Sequence, residues 1–372
     1  MDACYQIEDT SQIISPGMII FKDLMEENLK QMIERVGDPD RLRPHCKTHK
    51  MREIIELELS LGIKKHKSAT FAEAEMLAEA GVKDICLAYN LVGPNIARAV
   101  EFRKRWPDVS LQVTADHPAP IEQLGTAMSA AGLEIEVLLD LNTGQNRTGV
   151  HPGDVVAVEL YQLIANTPGL IAAGLHVYDG QNHQVDFKER EAAVKAVWND
   201  VSRLRDQLIT EGLTVQRIVA GATGSFPIFA SIEDPAIEVC PGTCVLHDAG
   251  YGELFPDLKF KPAAMVLTRV ISRPDPDRIT FDLGYKAIAS DPAMENRCWF
   301  PDLPDARAVL QNEEHLVVIS EQAEEFQPGD ELLVIPRHVC PTSALHKSVT
   351  VVSGGKVIGQ WNVAARDRFI TV

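Results

Sequence analysis

The sequence predicts an α/β fold in which a (β/α)8 barrel is followed by a C-terminal all-β domain. Short apolar runs alternate with helix-forming stretches from about residue 41 to about residue 250, as in a parallel sheet covered by helices. We count eight such runs, the number of strands that closes a barrel. After about residue 255 the strand-like runs continue without long helical stretches between them. An open doubly wound sheet is the alternative for the first part.

Each predicted barrel strand is a short run that precedes a turn or a helix-forming stretch such as FAEAEMLAEAG. The barrel strands are RLRPHC (41–46), KHKSAT (65–70), DICLAY (84–89), VSLQVTA (109–115), LEIEVLLDL (133–141), LIAAGLHVY (170–178), QRIVAGA (216–222) and AIEVCPG (236–242). The later strands are AAMVLTRVIS, RITFDLG, HLVVIS, DELLVIP and SVTVVS. We therefore expect a barrel domain over residues 16–250 and a β domain over residues 255–372, which residues 1–15 join.

Composition and charge narrow the class of protein. The chain has 372 residues, 53 acidic against 36 basic, and this balance argues against nucleic acid as the main partner. No run approaches the ~18 consecutive apolar residues of a membrane span, and the acidic N-terminus lacks a secretion signal, so we expect a cytoplasmic protein without a membrane partner. The seven scattered cysteines form no zinc-ribbon pattern and do not suggest a disulfide scaffold.

The octapeptide RPHCKTHK (43–50) concentrates basic residues in an acidic chain. If 41–46 is a strand, Arg43, His45 and Lys47 share one face, and Lys47 lies at the C-terminal end, where the active sites of barrels gather. Neighbouring positive charge and removal from water both make an amine easier to deprotonate. A lysine in that position suits Schiff-base chemistry. A solvated basic turn is the alternative.

Further motifs follow in order along nearly the whole chain: KHKSATFAEAEMLAEAG, LAYNLVGPN, LDLNTGQNRTGV, GLHVYDG, GATGSFP, CPGTCVLHD, FDLGYKAIASD, NEEHLVV, GDELLVIPRHVCPTSALH and VAARDR. Together with RPHCKTHK they resemble the D-threonine aldolase and D-serine dehydratase family of fold-type III (alanine racemase-like) enzymes. The resemblance implies pyridoxal 5′-phosphate (PLP) as the cofactor, bound covalently by Lys47, and a small D-amino acid as the substrate. It also implies a homodimer.

Several residues follow as candidates for binding the cofactor. Small residues let backbone N–H groups approach a phosphate, and loops after late barrel strands are its usual site. Two ordinary turns are the alternative. The resemblance places Arg147 near the phenolic oxygen of PLP and Tyr178, at the end of a predicted strand, against its pyridine ring. The predicted phosphate-binding residues are Gly221, Thr223, Gly224, Ser225, Gly242 and Thr243.

The motif PRHVC carries His338 and Cys340 within the predicted β domain. On a strand, residues two apart face the same side, and imidazole with thiolate suits zinc and other divalent metals. The spacing alone is unspecific, but the resemblance implies a divalent metal here (Zn, Mn or Mg). Dehydratase-like members of the family carry H-x-C, whereas well-known D-threonine aldolases carry H-x-D. His183 is a candidate catalytic base, with a surface-loop histidine as the alternative.

The resemblance implies a metal-assisted lyase of D-β-hydroxy-α-amino acids. The first hypothesis is retro-aldol cleavage of the D-threonine aldolase type, which yields glycine and an aldehyde. The alternatives are a D-serine or 3-hydroxy-D-aspartate dehydratase, an amino-acid racemase, which needs no metal, and a non-catalytic PLP carrier. The H-x-C pair argues against the last two.

Overall fold

The computed structural model describes residues 3–372, which form two compact units. The barrel unit comprises residues 33–47, 52–242 and 367–372. The β unit comprises residues 3–32, 48–51 and 243–366. Over the described residues, no helix has both the length and the apolar character needed to cross a bilayer.

The strands and helices are numbered in chain order. The strands are β1 Gly17–Phe21, β2 Lys65–Ser68, β3 Asp84–Asn90, β4 Ser110–Ala115, β5 Ile135–Asn142, β6 Leu170–Tyr178, β7 Arg217–Ala220, β8 Ile237–Val239, β9 Ala264–Ser272, β10 Arg278–Phe281, β11 Cys298–Trp299, β12 Arg307–Gln311, β13 Leu316–Ile319, β14 Glu331–Pro336, β15 Ser348–Ser353 and β16 Lys356–Asn362. The helices are α1 Lys22–Val36, α2 Arg52–Ser60, α3 Phe71–Glu79, α4 Pro94–Arg105, α5 Pro118–Ala130, α6 Val155–Asn166, α7 Phe187–Thr210, α8 Phe226–Ala230, α9 Ala249–Leu254 and α10 Val339–Leu345.

Strands β2 to β8 form one parallel sheet in sequence order. Residues 42–45 join its two edges, because Leu42 bridges Val239 of β8 and His45 bridges Lys67 of β2. The predicted barrel followed by a β domain is confirmed, and the closure excludes an open doubly wound sheet. The predicted strand 41–46 is only partly right. Pro44 has no N–H to donate, and residues Cys46–Thr48 turn into a 3-10 helix, so the alternation of faces stops before Lys47.

The interior of the barrel is apolar in the middle and charged at the end from which the strands start. Arg43 is fully buried there, and its guanidinium lies 2.6 Å from Glu238 and 2.8 Å from Asp84. It also donates to Gln112 over 3.2 Å. Burial alone would raise the pKa values of both carboxyl groups, but Arg43 lowers them. This arginine is therefore a structural member of the barrel.

The β unit is a nine-stranded mixed sheet with the main order β12-β13-β10-β9-β1-β15-β16, to which β14 and β11 are attached. Strand β1 pairs antiparallel with β9 and parallel with β15. Residues 17–21 therefore belong to this sheet and not to the predicted 16–250 barrel domain. The apolar run GMIIF satisfies either sheet, so only the pairing decides. The N-terminal segment also joins this unit, since the N–H of Glu8 donates to the carbonyl of Gly355 over 2.8 Å.

The last six residues depart from the predicted β domain as well. They belong to the barrel unit, where the N–H of Thr371 donates to Glu75 over 2.9 Å. The Nε of Arg98 donates to the carbonyl of Val372 over 2.8 Å. The C-terminal segment is thus anchored on helices α3 and α4.

Candidate functional site

Lys47, a half-buried residue, lies just beyond the short segment that closes the barrel, and its amine faces an aromatic ring. The Nζ atom is 5.9 Å from the ring centre of Tyr178, the last residue of β6. The guanidinium of Arg147, which follows β5, is 4.6 Å from the centre of the same ring. The structure therefore brings Lys47, Arg147 and Tyr178 together at the C-terminal ends of the strands. A lysine amine beside an aromatic ring and a cation suits an anionic aldehyde cofactor.

Two other basic residues of RPHCKTHK, Arg43 and His45, have separate roles. Arg43 is neutralised by two carboxylates in the barrel interior. His45 accepts from the N–H of Lys47 over 3.4 Å and donates its own N–H to the carbonyl of Pro241 over 2.8 Å. The two hydrogen bonds of His45 position Lys47 relative to the loop that follows β8. Arg43 therefore stabilises the barrel interior, and His45 anchors the loop after β8.

The two loops predicted to hold phosphate are joined to each other. The N–H of Gly242 donates to the hydroxyl of Thr223 over 3.3 Å. Gly221 has φ +84°, and a Cβ there would lie 3.1 Å from the ring of Phe229, so this turn needs glycine. Ser225 has a bracing role, because its hydroxyl accepts from the N–H of Ala222 over 2.9 Å and donates to a carboxylate.

That carboxylate belongs to Asp179, a buried residue that the sequence interpretation missed. It accepts from Ser225 over 2.7 Å and from Asn182 over 3.0 Å, and burial raises its pKa although both bonds act to lower it. Asp179 directly follows Tyr178 in HVYDG, so the motif could have indicated it. It ties the loop after β6 to the loop after β7.

Arg190 provides a second tie between these loops. It is fully buried in α7, donates from Nε to the carbonyl of Gly224 over 2.9 Å and from Nη1 to the carbonyl of Gln184 over 2.7 Å. The stretch FKEREAAV has the composition of an exposed helix, so no signal in the sequence distinguishes Arg190 from a surface arginine.

Two histidines of the barrel unit differ in their placement. His183 is exposed, with Nδ1 3.3 Å from the carbonyl of Gly180, and within residues 3–372 no hydrogen bond or ion pair joins it to Lys47 or Tyr178. His176 is buried, with Nδ1 2.7 Å from Asp140. Burial, reinforced by the charge of Lys67, lowers the pKa of His176, and only Asp140 opposes this.

The H-x-C motif lies in the β unit, but not on a strand. Strand β14 ends at Pro336, His338 is the N-cap residue of α10 and Cys340 lies in its first turn. The predicted strand geometry is therefore wrong, yet the two side chains still interact. Burial lowers the pKa of His338, but Cys340 and Asp291 more than compensate and raise it to about 9. The Oδ2 atom of Asp291 is 2.6 Å from Nδ1 of His338.

Two hydroxyl groups surround the Cys340 sulfur. The Oγ1 atom of Thr48 is 3.2 Å from Sγ, and that of Thr243 is 3.6 Å away. Thr243, predicted to bind phosphate, is thus in contact with the metal motif. Across residues 3–372, no group of three or more His, Cys, Asp and Glu side chains is arranged to hold a metal ion. The donor set of His338 and Cys340, both partly exposed, fits a borderline divalent ion that keeps positions for water or substrate.

Comparison with known proteins gives matches over nearly the whole chain. A family model described as the N-terminal domain of alanine racemase matches residues 20–246, and one described as a putative serine dehydratase domain matches residues 263–352. The D-threonine aldolase of an Arthrobacter species is 30% identical over 96% of this chain and 93% of its own length. The 3-hydroxy-D-aspartate aldolase of Paracoccus denitrificans is 28% identical over 97% and 94%. The crystal structure of D-threonine aldolase from Filomicrobium marinum superposes with a TM-score of 0.87 at 30% identity, over 95% of this chain and 96% of that one.

Proposed function

Because this chain belongs to the D-threonine aldolase and D-serine dehydratase family of fold-type III PLP-dependent enzymes, we propose that it is a metal-dependent lyase acting on D-β-hydroxy-α-amino acids. The family is one of PLP-dependent lyases, so the open questions are which bond breaks and whether a metal assists. We favour retro-aldol cleavage to glycine and an aldehyde. The relatives named as aldolases, which match almost from end to end, support this choice.

The observation that carries the proposal is that the amine of Lys47 and the guanidinium of Arg147 both lie near the ring of Tyr178. When bound, PLP supplies an aldehyde that exchanges amines and an electron sink for the bond that breaks. Lys47 would hold the cofactor, Tyr178 would pack against its ring and Arg147 would donate to its phenolic oxygen. The loops with Gly221, Thr223 and Gly224, and with Gly242 and Thr243, would hold the phosphate, with Ser225 bracing the first loop.

His338 and Cys340 would bind the divalent ion, with zinc, manganese and magnesium as the candidates. The ion would act as a Lewis acid on the substrate β-hydroxyl. In cleavage, a base must take the proton of that hydroxyl, and we assign this role to His183. His183 lies on an exposed loop, so the assignment requires the loop bearing Asn182 and His183 to approach the substrate when it binds.

Dehydration is the second candidate, and two observations favour it. The motif carries cysteine at position 340, and the family model over residues 263–352 is described as a putative serine dehydratase domain. In that reaction Lys47 would remove the α-proton and the metal would assist departure of hydroxide, so His183 would have no role. Loss of His183 therefore separates the two mechanisms.

Product analysis tests the proposal. The PLP-loaded protein, stripped of metal by a chelator, is incubated with D-threonine, D-serine or D-threo-3-hydroxyaspartate, with and without added Zn2+ or Mn2+. Glycine and an aldehyde, formed only with metal, support the aldolase. Ammonia and a keto acid identify the dehydratase, whereas inversion at the α-carbon without metal identifies a racemase. The Lys47→Ala variant and the L-enantiomers serve as controls.

We also propose a cytoplasmic homodimer that binds neither nucleic acid nor membranes. The support is the family resemblance for the dimer and the net charge of −17 for the absence of nucleic acid. Light scattering coupled to gel filtration measures the assembly: a single species of one chain mass, 41.0 kDa, would contradict the dimer.

A further inference from the structure

Two aspartates hold the H-x-C motif from different sides, and neither has a role in the proposed function. Asp291, in the segment after β10, meets the imidazole of His338, with Oδ2 2.6 Å from Nδ1. Asp248, the N-cap residue of α9, is fully buried and accepts from the N–H of Val339 over 2.9 Å. Val339 lies between the two candidate ligands, so the backbone that separates them is fixed.

The segment that carries Asp291 is itself fastened to α10. The N–H of Ala289 donates to the hydroxyl of Thr342 over 3.1 Å, and that hydroxyl donates to the carbonyl of His338 over 2.8 Å. Four residues further along, the Nε2 atom of His346 is 2.8 Å from the carbonyl of Ala287. The segment that carries Asp291 is therefore bonded to Thr342 of α10 and to His346, the C-cap residue of that helix.

A carboxylate that accepts from one ring nitrogen of a histidine sets the tautomer, and so decides whether the other nitrogen can bind a metal. A histidine binds a metal in its neutral form, and with Asp291 accepting at Nδ1 the proton of that form resides on Nδ1 and the lone pair on Nε2. Such an outer partner fixes the orientation of the ring and increases the basicity of the ligating nitrogen. The side chain of His338 is 40% exposed and also interacts with Cys340, so an ion can reach the two candidate ligands together.

We propose that Asp291 is a positioning residue that sets the tautomer of His338 and directs Nε2 toward the metal, while Asp248 fixes the turn that brings Cys340 beside it. This inference rests on the proposed metal site. It assigns to Asp291 no direct contact with the ion. Removing Asp291 should therefore weaken metal binding without abolishing it, unlike removal of a ligand.

The test measures Zn2+ affinity of the PLP-loaded protein by competition with a chromogenic chelator, a readout that needs no turnover. We expect Asp291→Ala to weaken the affinity roughly 10- to 100-fold. Asp291→Asn should lie between wild type and alanine, because its amide oxygen accepts the Nδ1 proton without a charge. Asp248→Asn, which keeps one of the two acceptor oxygens, should give a smaller loss. Asp305→Asn is the matched control, since this carboxylate also accepts two hydrogen bonds in the β unit, from Ser320 and Glu321.

Zn2+ affinity within about twofold of wild type in both Asp291 variants would overturn the inference. Mutating a residue that hydrogen-bonds a metal-binding histidine costs about tenfold or more in metal affinity. Equal losses in Asp291→Ala and His338→Ala would overturn it too, because Asp291 would then behave as a ligand. If His338→Ala and Cys340→Ala also retain wild-type affinity, the metal site itself is wrong, and the inference falls with it. Retained PLP absorbance and an unchanged unfolding midpoint in Asp291→Asn show that a loss of affinity is not a loss of fold.

Discussion

The hydroxyl oxygen of Thr48 lies 3.2 Å from the sulfur of Cys340, and Thr48 is the residue directly after Lys47. Thr48 is fully buried, and its carbonyl accepts from the hydroxyl of Ser343 in α10. Within the β unit, Thr48 is therefore bonded to α10, the helix that carries the candidate metal ligand Cys340.

We predict that Thr48→Val weakens Zn2+ binding about tenfold. The hydroxyl can donate to the Cys340 thiolate, and a hydrogen bond to a charged group is worth about 1.5 kcal/mol, which corresponds to a factor of about ten. Valine keeps the shape and removes the donor. Thr48→Ser keeps the donor and should retain wild-type affinity. Chelator competition measures both variants, and similar losses in the two would point to packing instead of the hydrogen bond.

Gly250, in α9, approaches the residue before His338 so closely that a side chain does not fit. Its N–H donates to the carbonyl of Arg337 over 3.1 Å, and a Cβ would lie 2.5 Å from that oxygen. We predict that Gly250→Ala lowers the free energy of unfolding by roughly 2 kcal/mol, as overpacking does. It should also weaken metal binding, since the backbone of Arg337 must move. Urea denaturation and chelator competition measure the two effects.

Gly252 in the same helix is the matched control. A Cβ there would meet only Nε2 of His247, at 3.5 Å, an ordinary contact. Gly252→Ala should therefore be neutral or slightly stabilising, because alanine favours helix by up to about 1 kcal/mol. If both variants lose the same stability, the close approach at Gly250 is not the cause.

Borohydride reduction of the PLP-loaded protein should label Lys47 alone. Its amine lies beside Tyr178 at the end of the barrel where the strands finish. Lys67 is the competing lysine, since it is buried in the barrel wall and its charge affects His176 and Asp140. Peptide mapping by mass spectrometry distinguishes them. We expect Lys47→Ala to lose the label and the activity and Lys64→Ala, at an exposed site, to keep both; a label on Lys67 would contradict the assignment.

The barrel was predictable from the sequence because its strands are buried on both faces and separated by helices. Seven predicted runs correspond to β2 to β8. The eighth, at 41–46, contains Pro44 and closes the barrel through two isolated bridges instead of a regular ladder. The motif residues Lys47, Arg147 and Tyr178 lie close together, and their roles toward the cofactor stay predictions. These agreements depend on local pattern, which the sequence records directly.

The residues that support the sites were not predictable in the same way. Arg190, Asp248 and Asp291 act on groups 34, 91 and 47 positions away, at Gly224, Val339 and His338. No spacing rule connects such distant positions, and each residue type is ordinary at the surface. Likewise, GMIIF (17–21) has the pattern of any buried strand, and only its pairing with β9 and β15 assigns it to the β unit.

His247 is a buried histidine of the β unit in the left-handed region of the backbone, with φ +52°. Burial lowers its pKa to about 4. In the unfolded chain its pKa returns to about 6.5. Between these values the unfolded chain binds a proton that the native protein does not, so the free energy of unfolding falls as the pH falls. The contribution of His247 is fully present above about pH 6.5 and is lost toward pH 4, by roughly 3 kcal/mol.

We predict that His247→Asn reduces this acid destabilisation, since asparagine tolerates the left-handed conformation and does not titrate. Asp248 acts in the opposite direction over part of the same range, because burial raises its pKa to about 6 and its protonation favours the native state as the pH falls. The comparison is therefore made between variants, from urea midpoints at pH 7 and pH 5. Wild type and His315→Asn, at an exposed histidine, should lose more stability on acidification than His247→Asn. Equal losses in all three would show that His247 is protonated in the native protein.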